Sequence, residues 1–529
     1  MDDGQAGPAA RDRRAATTAG QERRVTSREP RVTRPAFGAA LVCIALLAGC
    51  AVAPPQSAPA GPYAGCYEVF RRVDRAVAEA GVADGMAARI DGFPYLRASR
   101  FLASYAGEGM DDARFTAWMN RMIALGNQAY EVEIANLPAA RAEALGHALR
   151  DVASGHASAG SALADCAGRL AAADHADPAR RAELRGAVRV PDDYETWQRV
   201  AGLYWLTRIP FANGVRRWHE EVQRTFATPL EALPAAGRPV AYVPPPGAAS
   251  REEVGAILAR SSNNPLETPD PRGADLEALF RAFAPEFVVD TASEADAPGE
   301  PGWSGGAAPR VVSHLPVVYR RVSHARYDGR VLLQLNYAIW FPERPRGAGW
   351  DLLGGHLDGV LWRVTLAPDG EPWMFDSIHL CGCYHLFFPT ARAAPRPLPE
   401  TMDEAGFSPQ ALPRLAAGER VSLRLEAGTH YLQRVVVGKA PSQPALEYQF
   451  AADDALRSLP LPEGGRRSLF RPDGIVPGSE RGERFLFWPM GVPEPGAMRQ
   501  WGRHATAFVG RRHFDDARLL EQYFMLKEP

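Results

Sequence analysis

Along residues 66–226, apolar side chains recur at three- and four-residue steps. Val69, Phe70, Val73, Val77 and Ala80 form one series; Phe115, Trp118, Met119, Met122 and Ile123 form a second, continued by Tyr130 and Ile134. This spacing lines one face of an α-helix. Asp111-Asp112 ahead of Phe115, and Pro191-Asp192-Asp193 ahead of Tyr194, are helix-start signals, and a Ser/Gly-containing stretch at 153–161 interrupts the pattern. Trp197, Tyr204, Trp205, Phe211 and Trp218 crowd one short segment; such aromatic density predicts core or an interface between domains. With no metal or nucleophile spacing in it, the helical region reads as a packing or docking module.

Further along, the period changes. Residues 311–320, 331–341, 360–366, 421–425, 429–437 and 484–488 are β-branched or aromatic and bounded by Gly, Pro and Asp, which predicts strands. Between the two patterns, 235–273 holds Pro244-Pro245-Pro246, Pro265, Pro269 and Pro271 and reads as a linker with one short helix near 252–260. The predicted class is α+β and multidomain: a helical bundle over 66–234, the linker over 235–273, and a β-rich, sandwich-like domain over 274–529. No internal repeat, dinucleotide or phosphate-loop signature, Gly-x-Ser-x-Gly elbow or His-Glu-x-x-His helix occurs.

Composition narrows the class. With 46% hydrophobic and 23% charged residues among 529, the chain is neither wholly disordered nor a multi-span membrane protein. A net charge of −2 gives no pull toward nucleic acid.

The N-terminus carries an address. An arginine-rich stretch precedes the apolar run AFGAALVCIALLAGCAVA at 36–53, the plan of a secretory signal. The run is also marginally long enough to be an uncleaved anchor. Its end, Leu47-Ala48-Gly49-Cys50, resembles the lipobox of bacterial lipoproteins. That resemblance implies removal of 1–49, acylation of Cys50 (palmitate among the chains), a flexible tether over 50–65, and a membrane partner. Ala51 in place of aspartate favours the outer membrane, facing the periplasm, over inner-membrane retention. Export suits the remaining cysteines: Cys66 and Cys166 bracket the helical region and are the expected disulfide, and Cys381 and Cys383 are left as a tight pair or free thiols.

Candidate chemistry is densest where the chain reads GGHLDGVLWRVTLAPDGEPWMFDSIHLCGCYH, at 354–385. Pro368-Asp369-Gly370 is turn chemistry, so a hairpin is expected. A four-residue loop at 367–370 pairs Val364 with Trp373, Trp362 with Phe375, Asp358 with His379 and His356 with Cys381. One face then carries Val360, Trp362, Val364, Trp373 and Phe375, the other Arg363, Thr365 and Asp376. His356, Asp358, His379 and Cys381 project together at the open end, with Cys383 and His385 continuing the parity. Imidazoles with a carboxylate or thiolates suit a divalent ion such as zinc. Alternatively, His379 and Asp358 are an acid–base pair, or these residues are structural.

The segment YAIWFPERPRGAGWDLLGGHLDGVLW resembles the core of the necrosis- and ethylene-inducing protein family and of related vacuolar-sorting-like β-sandwiches. Tyr337, Pro342, His356 and Asp358 carry the likeness, and Ala427-Gly428-Thr429-His430 resembles a Gly-Ser/Thr-His of the sorting-like branch, adding His430 to the metal candidates. Gly359 and Val360 depart from it, standing where that family has Trp and a metal-binding Glu. The resemblance implies a sandwich with a metal-capable end. Two functions are therefore expected: a lipid-anchored envelope protein with a metal-binding, hydrolytic His/Asp/Cys site, or a non-catalytic lipoprotein that docks an envelope protein or the cell wall.

Overall fold

The computed structural model describes residues 61–527, leaving out 153–154, 248, 306–307, 350, 398–403, 417 and 439–444. The expected signal segment 1–49, Cys50 as the expected acylation site and most of the expected tether lie outside the described residues.

The first apolar series becomes α1 (Ala64–Ala80), which buries Val69, Phe70, Val73 and Val77. The second becomes α2 (Asp112–Ala135), capped by Asp111, whose carboxylate accepts the Arg114 N–H at 2.8 Å. After α3 (Ala139–Leu149), α4 (Ala159–Ala176) packs back on α1, and Cys66 of α1 is disulfide-bonded to Cys166 of α4. A hairpin that the helical period did not predict, Ala88–Ile90 with Phe93–Ala98, lies against α2. The approach is so close that a side-chain carbon at Gly126 would stand 2.3 Å from the Tyr95 carbonyl oxygen. After a short helix at Pro178–Ala187 come α5 (Thr196–Ala201) and α6 (Tyr204–Ala227). Trp197 and Trp205, expected in core or an interface, are 63% and 71% exposed.

The strands form two principal sheets. In chain order they are β1 (Arg238–Val243), β2 (Glu286–Thr291), β3 (Val317–Tyr327), β4 (Arg330–Arg344), β5 (Gly355–Leu366), β6 (Pro372–His379), β7 (Leu386–Pro389), β8 (Arg420–Leu425), β9 (Leu432–Gly438), β10 (Ala445–Glu447) and β11 (Gln449–Ala452). One sheet has the order β7-β6-β5-β4-β3-β11, the other β9-β8-β2-β1-β10. Tyr337, Trp362 and Phe375 of the first share a core with Phe287, Leu423 and Leu432 of the second, so the sheets pack face to face as a sandwich. The α+β class therefore holds, with helices first and strands after.

Two expectations are corrected here. Residues 235–273 are more than a connection: β1 pairs antiparallel with β2, and α7 (Arg251–Ser261) buries Val254, Ile257 and Leu258 in the sandwich core beside α8 (Gly273–Phe283). Residues 484–488 are not a strand. They form the short helix α9 (Arg484–Phe487) running into a 3₁₀ turn at Trp488–Met490. Pro489 lacks the N–H a ladder needs, and no strand pairs with this segment. The helical and β-rich parts are joined by a buried ion pair, Arg457 to Asp84 at 2.7 Å, and the chain from Ala58 onward is one compact unit.

The central hairpin forms with its turn where expected, the Gly370 N–H bonding the Ala367 carbonyl at 2.9 Å. Its register differs by two residues: Phe375 lies opposite Val364, Ser377 opposite Trp362 and His379 opposite Val360. An even shift preserves the faces, so Val360, Trp362, Val364 and Phe375 share the sandwich core while Arg363 meets Asp376 on the other side. The shift originates in an irregularity between Pro372 and Met374. It swings Trp373 to the opposite face, where its ring packs 4.8 Å from Tyr327.

Candidate functional site

Asp358 lies on β5, just after Leu357, which takes a left-handed backbone (φ 57). His430 occupies the β8–β9 turn, also left-handed (φ 54), and its Nδ1 donates to Asp358 Oδ2 at 2.8 Å. From the end of β6, His379 Nδ1 comes within 3.6 Å of Asp358 Oδ1. On the far side of His430, Nε2 stands 3.5 Å from Asp296 Oδ1. Asp296 is held by the Ala292 and Ser293 N–H groups at 2.9 Å each, and Phe341 stacks flat on the His430 ring at 3.8 Å. The result is a buried line, Asp296–His430–Asp358–His379.

Burial pushes the Asp358 carboxyl up, but His379 and His430 outweigh it and hold the group well below the usual carboxylate range. Burial likewise opposes Asp296, yet His430 and the surrounding N–H groups bring it down to about 2. His430 is raised despite burial, because carboxylates flank both ring nitrogens. His379 is lowered: burial outweighs its single carboxylate neighbour. It is therefore neutral near pH 7, with Nδ1 turned toward Asp358.

Of the six expected metal ligands, the structure brings together Asp358, His379 and His430. His356 is exposed and bonds the Pro309 carbonyl, because the left-handed Leu357 breaks the alternation between it and Asp358. His385 belongs to a second buried set, its Nε2 2.8 Å from Asp376, which also pairs with Arg363. Cys381 and Cys383 are free thiols, and the Cys383 N–H donates to Cys381 Sγ at 3.3 Å. Gly382 makes this turn: its φ is +87, and a side-chain carbon there would meet the Ala505 carbonyl oxygen at 2.7 Å. Among the described residues no group of three or more His, Cys, Asp or Glu side chains is arranged to hold a metal ion.

His379 opens into a cavity of about 980 Å³. One wall is α6, through Phe211, Val215, Trp218 and Val222; the rim includes Phe485, Leu486 and Trp488 of the α9 segment. Around His379 stand Tyr384 and Tyr431, their ring centroids 5.0 and 5.5 Å from the imidazole. Glu483 also lines the cavity, and burial raises its carboxyl to about 7 against the pull of Arg344, Arg481 and Arg499. A raised carboxylate pKa means the folded state binds the proton more tightly. The stability it contributes is full below pH 4.5 and is lost as the pH rises through about 7. Glu483→Gln should therefore gain on the wild type by roughly 3 kcal/mol between pH 4.5 and pH 8, measured by urea unfolding at both.

Asp296, Glu483 and the α6 wall were not legible as site components. Asp296 lies in a Glu/Asp-containing turn with no periodic mark, and Glu483 stands just outside the segment 484–488 that was read as a strand. Compared with protein-family models, curated proteins and solved structures, the chain matches none.

Proposed function

We propose that this chain is a lipid-anchored envelope protein, acylated at Cys50 and placed in the outer membrane facing the periplasm. We propose also that it hydrolyses an ester-type bond in a molecule with an apolar tail. What carries the catalytic reading is His379: a neutral imidazole, backed by Asp358 and opening into a large, largely apolar cavity. In this role His379 Nε2 takes a proton from water, the hydroxide adds to the ester carbonyl carbon, and the imidazolium returns the proton to the departing alkoxide. Asp358 orients the ring and stabilises the imidazolium. The apolar walls take the tail, and the thiol of Cys383, raised by its hydrogen bond with Cys381 and by burial, is left a poor nucleophile.

The test is p-nitrophenyl ester hydrolysis from acetate to palmitate. The expected result is release that grows with chain length and falls 10²–10⁴-fold in His379→Ala, with unchanged circular dichroism. No release from any ester, or an unaffected variant, overturns the reading. Stoichiometric zinc that disappears in His379→Ala would replace proton transfer with metal chemistry. A second reading, a non-catalytic docking lipoprotein, is favoured by the exposed apolar side chains beside the cavity mouth.

A further inference from the structure

The apolar rim of the cavity extends outward into a surface no other part of the described chain covers. Trp197 and Val200 on α5, Leu203 in the connection, and Trp205, Leu206 and Ile209 on α6 are between 48% and 72% exposed. On α9, Phe485 is 74% exposed and Leu486 56%. These belong to one patch: a side-chain carbon at Gly202, between α5 and α6, would meet Pro489 at 2.5 Å, and Phe211 and Phe487 pack with centroids 5.0 Å apart. The cavity reaches this patch: Phe485 and Leu486 line it and are themselves exposed, beside Pro210 and Phe211 of α6.

The charge pattern identifies what such a surface fits. Residues 196–218 contain arginines but no Asp or Glu, and the same is true of 484–488. Arg216 and Arg217 are exposed on α6, about 10 Å along the helix from Ile209. Glu195 before this stretch and Glu220 and Glu221 after it are exposed as well, so the acid-free part is the apolar centre with its arginines; exposed Trp and Leu beside arginine is the composition of elements that lie in a bilayer interface. Arginine at that level gains from anionic headgroups. No described helix is long and apolar enough to cross a membrane, so contact would be along the surface.

We infer that the α5–α6–α9 face docks on an anionic phospholipid bilayer, with the cavity mouth turned to the acyl layer. The inference stands apart from acylation of Cys50 and from hydrolysis. It is tested with the chain from Ala51 onward, which lacks the anchor but retains the whole compact unit from Ala58. Phosphatidylglycerol/phosphatidylethanolamine vesicles should sediment this protein and shift its tryptophan emission to the blue. Pure phosphatidylcholine vesicles should bind it at least tenfold more weakly, and Trp197→Glu/Trp205→Glu should weaken binding to anionic vesicles at least tenfold. Both tryptophans are exposed and neither lines the cavity, so the variant should retain the wild-type melting temperature and p-nitrophenyl acetate hydrolysis. Failure to bind anionic vesicles, equal partition onto phosphatidylcholine, or unchanged binding by the variant overturns the proposal. So does a dimer, dispersed by the variant, in place of vesicle binding, since the face would then belong to a second copy. Vesicle binding by a protein inactive on every ester would instead sustain the docking and reject the hydrolase.

Discussion

Asp358→Asn should destabilise the protein by about 3–5 kcal/mol in urea unfolding at pH 7, and it should lower ester hydrolysis as well. The carboxylate is buried between two imidazoles, 2.8 Å from His430 and 3.6 Å from His379, and asparagine preserves its shape while removing its charge. His430 would then keep only one of its two carboxylate neighbours, Asp296. The pH dependence should change with it. Asp358 has a depressed folded pKa, so its stabilisation is present above about pH 3.8 and is lost as the pH falls toward its folded value. The raised pKa of His430 acts in the other direction: its stabilisation is full below pH 6.5 and fades as the pH rises through the folded value. The wild type should therefore lose stability at both extremes from this line of residues, and the variant should show less of each loss. Histidine NMR provides the independent check. Without Asp358 both His379 and His430 should titrate lower than in the wild type.

Removing the Cys66–Cys166 disulfide should cost about 4–5 kcal/mol, the loop-entropy value for two cysteines 100 residues apart. Cys66→Ser should lose at least as much stability as reductant removes from the wild type, and reductant should add nothing further to the variant. Both sulfurs are buried in the α1–α4 core with Val69, Phe70 and Leu163, so the serine hydroxyl adds a polar group without an evident partner. Cys66→Ala separates that contribution from the crosslink itself. A variant as stable as the wild type under oxidising conditions would show that the helices need no covalent tie.

The sequence was most legible where one period dominated. The series from Phe115 to Ile134 maps onto α2, and the Asp111 cap marks its start. On the hairpin, parity assigned Val360, Trp362, Val364 and Phe375 to the core and Arg363, Thr365 and Asp376 to the other face. It could not register a bulge, which moved the pairing by two and carried Trp373 across. Alternation failed at Leu357, because a left-handed residue resets which side the next one faces; His356 was lost from the site for that reason. Asp358 meets His430 across 72 positions in the chain, and only the likeness of Gly428-Thr429-His430 to a known motif had brought His430 into consideration. The cavity was beyond periodicity altogether. It exists because α6, whose aromatic residues suggested core, lays Trp218 and Phe211 over the end of the sandwich and leaves Trp205 outside.

The Asp84–Arg457 pair bears on how the chain matures. Its partners stand near opposite ends, and a lone carboxylate or guanidinium at that depth would be severely disfavoured. A polypeptide emerging with its first residues leading can assemble α1 to α4 early. It cannot seal the seam around Asp84 until residue 457 is also free. Final closure must therefore come late and depend on nearly the entire length, so truncations before this arginine should leave species prone to degradation or clumping.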